Sequence, residues 1–260
     1  MRKTLLAAAI MGVFAPSVAQ AQTANVTMYG ALILDSEVII NTKQDGTSGA
    51  PGTPGPGAKQ NVYRVSSNSS RFGVRGTESL GDGSNAIFQL EWQPAATAAG
   101  PLANRDIFAG LQGGWGTLKA GFFFSPYYDV GAIFGNLTTF RTSILASQSL
   151  WANNGYSGSN VQTGSFAQRI ANSVRYDTPS LGGFTGNVQV GARTTDGDSD
   201  LLQQRRHAYV LTTAGQYRSG PVAAAVAYEA HNNLRQGTVA NPKLQDQGLT
   251  ATGSYDFGVI

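Results

Sequence analysis

The charged side chains of this 260-residue chain are few, and some stand at spacings that matter. Arg71 and Arg75 are separated by Phe72, Gly73 and Val74. In an extended segment alternate residues share a face, so both guanidinium groups point one way and Phe72 and Val74 the other. Arg169 and Arg175 stand opposite Ile170 and Val174 by the same count. Arginine stays charged at any relevant pH, so such a row offers fixed positive charge that steers anions rather than acid–base chemistry. Arg105 fits less well: strict alternation groups it with Ile107, Ala109 and Leu111, unless a bulge at the strand start turns it over. The 43-residue stretch Ser125–Ala167 lacks clear periodicity and contains one acid, Asp129, and one base, Arg141.

Other chemistry is excluded. The absence of cysteine removes disulfide scaffolds and thiolate metal sites. His207 and His231 are isolated and lack the spacing of a zinc-binding histidine pair. Asp196, Asp198 and Asp200 imitate the start of a calcium loop, but its required glycine and glutamate positions hold Leu201 and His207. No nucleophile elbow or phosphate loop occurs, and no Ser/His or acid pair can be placed on adjoining strands. The expectation is a protein that is not an enzyme and uses no cofactor.

Composition then limits which elements can position these arginines. Charged residues make up 13%, against roughly 25% in soluble domains, and glycine is 33 of 260. Mean hydropathy is −0.15. The longest apolar run, Leu5–Val13, falls well short of the ~20 residues that span a bilayer as a helix. It lies between the basic Met1-Arg2-Lys3 and the small-residue site Ala19-Gln20-Ala21, the pattern of a secretory signal peptide over residues 1–21. Removing Arg2 and Lys3 leaves 16 cations against 15 acids, a net charge of +1, with nothing to suggest a nucleic-acid partner.

No helical pattern follows residue 21. Segments of about ten residues alternate apolar and polar and end in turn residues. Asn85–Gln93 is the clearest, with Ala86, Phe88, Leu90 and Trp92 against Asn85, Gln89, Glu91 and Gln93. Period two means strand. About ten strands are expected, near 25–40, 65–78, 85–93, 104–112, 117–124, 168–177, 184–194, 204–218, 222–231 and 248–257. Connections alternate between short and long. Trp92, Tyr176, Phe184, Tyr255 and Phe257 fall at strand ends. Export, strand length and these aromatic ends favour an all-β, transmembrane, antiparallel up-and-down β-barrel with lipid outside and a polar interior.

Several segments make the chain recognisable. Val26-Thr27-Met28-Tyr29-Gly30, Ser70–Gly81 (SRFGVRGTESLG), Ala86–Glu91 (AIFQLE), Asn104-Arg105, Gly116-Thr117-Leu118, Asn172–Tyr176 (NSVRY) and Gly253–Val259 (GSYDFGV) resemble the Gram-negative general porins, above all those of beta-proteobacteria. The resemblance implies a homotrimer of sixteen-stranded barrels in the outer membrane, in contact with its lipid and lipopolysaccharide. Each barrel would pass small ions and solutes, with residues 22–260 forming part of one. Relatives end on a terminal aromatic, whereas Gly258-Val259-Ile260 is where they turn and continue, so a truncated barrel is expected. The alternative is a true ten-stranded barrel.

By the same resemblance, Ser125–Ala167 is the loop that folds into the barrel and narrows it, with Tyr127, Tyr128, Phe134, Phe140 and Trp151 able to pack it inside. The other reading is an outer loop. Arg71, Arg105 and Arg169 match positions that build a basic ladder. Together with Arg75 and the opposing Asp129 they form the expected pore constriction, unless individual arginines are only solvated at a rim. Relatives often carry arginine after the glycine matching Gly121, where Phe122-Phe123-Phe124 stands here. The expected function is passive diffusion with a mild anion preference; the rival is a surface barrel that acts as an adhesin with little conductance.

Overall fold

The computed structural model describes residues 25–43, 59–67, 69–97, 99–131, 166–192, 209–232 and 245–258. The signal segment, Phe134, Phe140, Arg141, Trp151 and the aspartates at 196–200 lie outside them. Ten strands form one antiparallel sheet: β1 (Asn25–Ala31), β4 (Arg71–Gly81), β5 (Ser84–Gln93), β6 (Ala103–Gly113), β7 (Gly116–Phe124), β8 (Arg169–Asp177), β9 (Phe184–Ala192), β10 (Tyr209–Ser219), β11 (Val222–Asn232) and β12 (Gln245–Tyr255). Each strand pairs with the next along the chain except where a hairpin of β2 (Leu34–Lys43) and β3 (Lys59–Ser67) intervenes between β1 and β4. Among the described residues β1 and β12 are the sheet's two edges. No described helix is long and apolar enough to cross a membrane.

The predicted first strand, 25–40, is therefore two elements. The chain breaks at Leu32–Ile33, and β2 pairs with β3 instead of continuing in the sheet. Ser70 holds this junction. Its buried hydroxyl accepts from the Ile33 amide at 3.0 Å and lies 3.1 Å from the Ile33 carbonyl, while Ser69 adopts a positive φ of 57°. That local reversal is invisible to an alternation count.

α1 (Pro126–Gly131) leaves the end of β7 and packs on the far side of the sheet, against β9 to β12. A helix that starts at one strand and reaches four others marks the inner face of a curled sheet. Register then assigns every strand. Tyr29, Arg71, Arg75, Glu91, Gln189, Thr212, Glu229 and Thr252 share that inner face through the ladder. Val26, Met28, Leu90, Leu118, Val188, Val226 and Leu249 lie on the other face and are exposed. The polarity is thus inverted: buried side chains such as Gln189 and Glu229 are polar, and the exposed rows are apolar. In water this would be an aggregation-prone surface; against lipid it is what a barrel requires.

Aromatic side chains gather at the rims of the outer face. Trp115 stacks on Tyr176 with centroids 6.3 Å apart, Phe184 meets Tyr217 at 4.5 Å, and Tyr255 meets Phe257 at 4.9 Å, all at the end with short turns. Phe72 and Trp92 pair at 5.7 Å at the opposite end. These are amphipathic rings at two levels, as interfacial girdles require.

One face assignment needs correction. Ile170 and Val174 were expected to lie on the same side, yet Ile170 is 2% exposed and Val174 is 51% exposed. Phe123 pairs with Ile170 but Gly121 with Ser173, so Ala171 and Asn172 together oppose Phe122. Asn172 takes a positive φ of 47°. This bulge inserts one extra residue and reverses the alternation on its N-terminal side, so Ile170 rather than Arg169 shares the face of Arg175, and Arg169, opposite Phe124 at the strand end, reaches Asp106 from there.

Candidate functional site

The inner wall from β1 to β8 brings the predicted arginines together around carboxylates. Glu91 is the hub of the first group. Its Oε1 is 2.5 Å from Arg105 Nε, its Oε2 accepts from the Tyr29 hydroxyl at 2.9 Å, and Arg71 Nε lies 3.9 Å away. Arg105 also donates to Gln93 Oε1 at 3.0 Å. Gly73 permits this convergence: a Cβ there would come within 2.9 Å of the Tyr29 ring and 2.6 Å of the Leu90 carbonyl. Arg75 lies over the Tyr29 ring at 5.2 Å and remains exposed on the inner face.

Arg105 reaches this hub because the bulge exists. Leu90 pairs with Ile107 but Trp92 with Asn104, so Arg105 and Asp106 together oppose Glu91. Two consecutive residues thereby contribute to the same side. Asp106 accepts from Arg169 Nε at 2.6 Å, linking β6 to β8.

The second group ties α1 to the wall. Arg175, 7% exposed, binds Asp129 of α1 at 2.6 Å and Asp177 at 2.6 Å, and Lys119 lies 3.7 Å from Asp177. Burial pushes the Asp129 carboxyl above the usual carboxylate range, and the Arg175 guanidinium offsets part of that rise. Around these charges sit aromatic rings. Phe123 points inward beside Phe108, with Lys119 over both rings at 4.8 and 5.1 Å. Phe124 stacks on Tyr128 at 3.5 Å and carries Arg169 at 3.7 Å. Two groups that close to one centroid must occupy opposite faces of the ring, giving a three-layer stack at the point where the chain turns inward. The Phe122–Phe124 run, which replaces a charge expected from the resemblance, therefore supplies a platform for a cation that comes from another strand.

The profile of the family described as Gram-negative porin matches residues 6–260. The chain belongs to the Gram-negative porins. It is 34% identical to an outer membrane porin protein of Bordetella pertussis over 283 residues, covering 100% of this chain and 67% of that protein. It is 28% identical to a major outer membrane protein P.IB of Neisseria gonorrhoeae, covering 100% and 69%. Among solved structures, an anion-selective porin from Comamonas acidovorans shares the fold with a TM-score of 0.63 and 22% identity, over 91% of this chain and 65% of that one. The porin described here thus spans about two thirds of the length of these relatives. It is an outer-membrane β-barrel protein of a family of channel proteins, not an enzyme.

All five predicted site residues, Arg71, Arg75, Arg105, Arg169 and Asp129, fall on this inner network. What sequence reading missed is its acidic half. The sequence points to Asp129 as the opposing carboxylate, but Glu91, Asp106 and Asp177 are on the wall as well. Glu91 was readable: it lies on the polar side of the clearest strand, next to the strand of Arg71. Asp106 depends on the bulge, and Asp177 depends on the reach of Arg175.

Proposed function

We propose that the porin forms a water-filled channel for passive diffusion of small hydrophilic solutes and ions, with a modest anion preference. The supporting observation is the charge of the inner network. On the β4–β8 side of the inner face Arg71, Arg75, Arg105, Lys119, Arg169 and Arg175 face Glu91, Asp106, Asp129 and Asp177: six cations against four carboxylates, a local excess of +2, while Glu229, Asp246 and Arg218 lie further round the same face. Rings of fixed charge set ion selectivity at a constriction. The preference is modest because most of these cations are paired. Among the described residues Arg75 lies over the Tyr29 ring and remains exposed, so it is the cation best placed to meet a passing anion. The description of the Comamonas protein as anion-selective agrees with this reading.

On the same reading Arg71, Arg75, Arg105, Arg169 and Asp129 border the constriction, residues 1–21 direct export, and the barrel acts as a homotrimer in contact with outer-membrane lipid and lipopolysaccharide. The test is the zero-current potential across a planar bilayer in a KCl gradient. Chloride preference, reduced by Arg75→Gln, is expected; a cation-selective potential would sink the proposal.

A further inference from the structure

The inner face of β8 to β11 carries a row of buried polar side chains that ion selectivity does not use. Register sets them side by side: Arg175 opposes Gln189, Gln189 opposes Thr212, and Thr212 opposes Glu229. Gln189, Thr212 and Glu229 are all buried. Residues directly opposite on adjacent strands have Cβ atoms about 4.5–5.5 Å apart, so two long side chains flank one short one within reach of a common point. Each of the three has an oxygen without a hydrogen-bond partner among the described residues: Gln189 Oε1, Thr212 Oγ1 and Glu229 Oε2.

The neighbouring contacts decide which atoms are left over. The Ser173 hydroxyl has one proton, and the Gly121 and Ile170 carbonyl oxygens beside it, at 3.1 and 3.0 Å, can only accept. Ser173 Oγ therefore accepts from Gln189 Nε2 at 2.8 Å, and the amide oxygen is the atom left over. Glu229 uses Oε1 on His231 Nε2 at 2.9 Å, which leaves Oε2. With a neutral imidazole Nε2 is the donor, and Nδ1, also without a partner among the described residues, carries a lone pair. The single hydroxyl proton of Thr212 cannot serve the oxygens on both sides of it.

Charge is unbalanced as well. Arg175, the cation of the same row, is bound to Asp129 and Asp177 at 2.6 Å each. Among the described residues Glu229 has its bond to His231 and no lysine or arginine partner. Burying acceptors without donors, or a carboxylate without a counter-charge, is costly. A small cation among the three oxygens removes both costs. All-oxygen donors suit a hard ion, and one carboxylate among neutral oxygens matches a single positive charge. No group of three or more histidine, aspartate or glutamate side chains able to hold a metal occurs among the described residues, so a multivalent ion is not favoured here.

We propose that Gln189 Oε1, Thr212 Oγ1 and Glu229 Oε2 hold one buried monovalent cation, sodium or potassium, in the inner wall. The ion cancels the charge of Glu229 and is a fixed part of the wall, not a permeating ion, so the site stands whether or not the channel conducts.

Urea titration of the full refolded chain tests this at pH 8, where an imidazole is ordinarily neutral. Sodium chloride is compared with tetramethylammonium chloride at the same ionic strength, the organic cation being too large to enter. The folded-to-unfolded ratio should rise with sodium, approaching tenfold for each tenfold increase above the dissociation constant. Thr212→Val, which keeps the shape and loses the hydroxyl, and Glu229→Gln should flatten this dependence, while Thr212→Ser should keep it. Thallium(I) soaked into crystals of the chain should give an anomalous peak among the three oxygens. Equal stability of the wild type in the two salts, an undiminished sodium dependence in Thr212→Val, or an ordered water where thallium is expected overturns the site. If Glu229→Gln does not fold, the two Thr212 variants decide.

Discussion

Val188→Arg should destabilise the barrel by about 2–4 kcal/mol, the cost of an arginine facing lipid near the bilayer midplane. Val188 is the central residue of β9, pairs with Tyr176 and Thr213, and is exposed on the apolar face. The cost arises because a guanidinium in hydrocarbon either loses its hydration or thins the bilayer to keep it. Arginine at Thr77, an exposed inward position on β4, should change folding by no more than about 0.5 kcal/mol, as for other solvated sites. Urea titration of each variant refolded into lipid vesicles measures the difference. Equal costs at the two positions would mean that the apolar face does not meet lipid.

Glu91→Gln should have the largest effect of any single change within the network. The carboxylate is 6% exposed and serves Arg105, Arg71 and Tyr29 together. Removing one partner of a buried ion pair costs about 3–5 kcal/mol, and water in the pore places this site toward the lower figure. The second consequence is functional. Loss of one of four carboxylates raises the net charge of the network from +2 to +3, so chloride preference should increase. A refolded Glu91→Gln channel with unchanged stability and unchanged zero-current potential would remove Glu91 from its central position. Reversing the change with Arg105→Gln in the same chain should recover part of the stability, because the two losses share one interaction.

The architecture was legible in the sequence wherever alternation was regular. Asn85–Gln93 and Phe184–Arg193 alternate cleanly, and β5 and β9 match them within a residue. Alternation failed where two residues oppose one, at Arg105–Asp106 and Ala171–Asn172, because a bulge depends on the partner strand and leaves no periodic trace. The inner face was readable only in outline. Arg71 and Arg75 follow from spacing, but the pairing of Arg175 with Asp129 and of Arg169 with Asp106 joins residues 46 and 63 positions apart. Such contacts are set by register and by the inward turn at Ser125, which no local pattern encodes.

On the function proposed above, the face bearing α1 lines a water-filled channel and the opposite face meets lipid. Because the chain has no cysteine, alternate thiol accessibility along β4 tests it directly. Val74→Cys and Arg75→Cys, each in a planar bilayer, would be exposed to a membrane-impermeant, negatively charged thiol reagent. The thiol at position 75 should react and change the current while the thiol at position 74 stays silent. Reaction at position 74 with none at position 75 would contradict it.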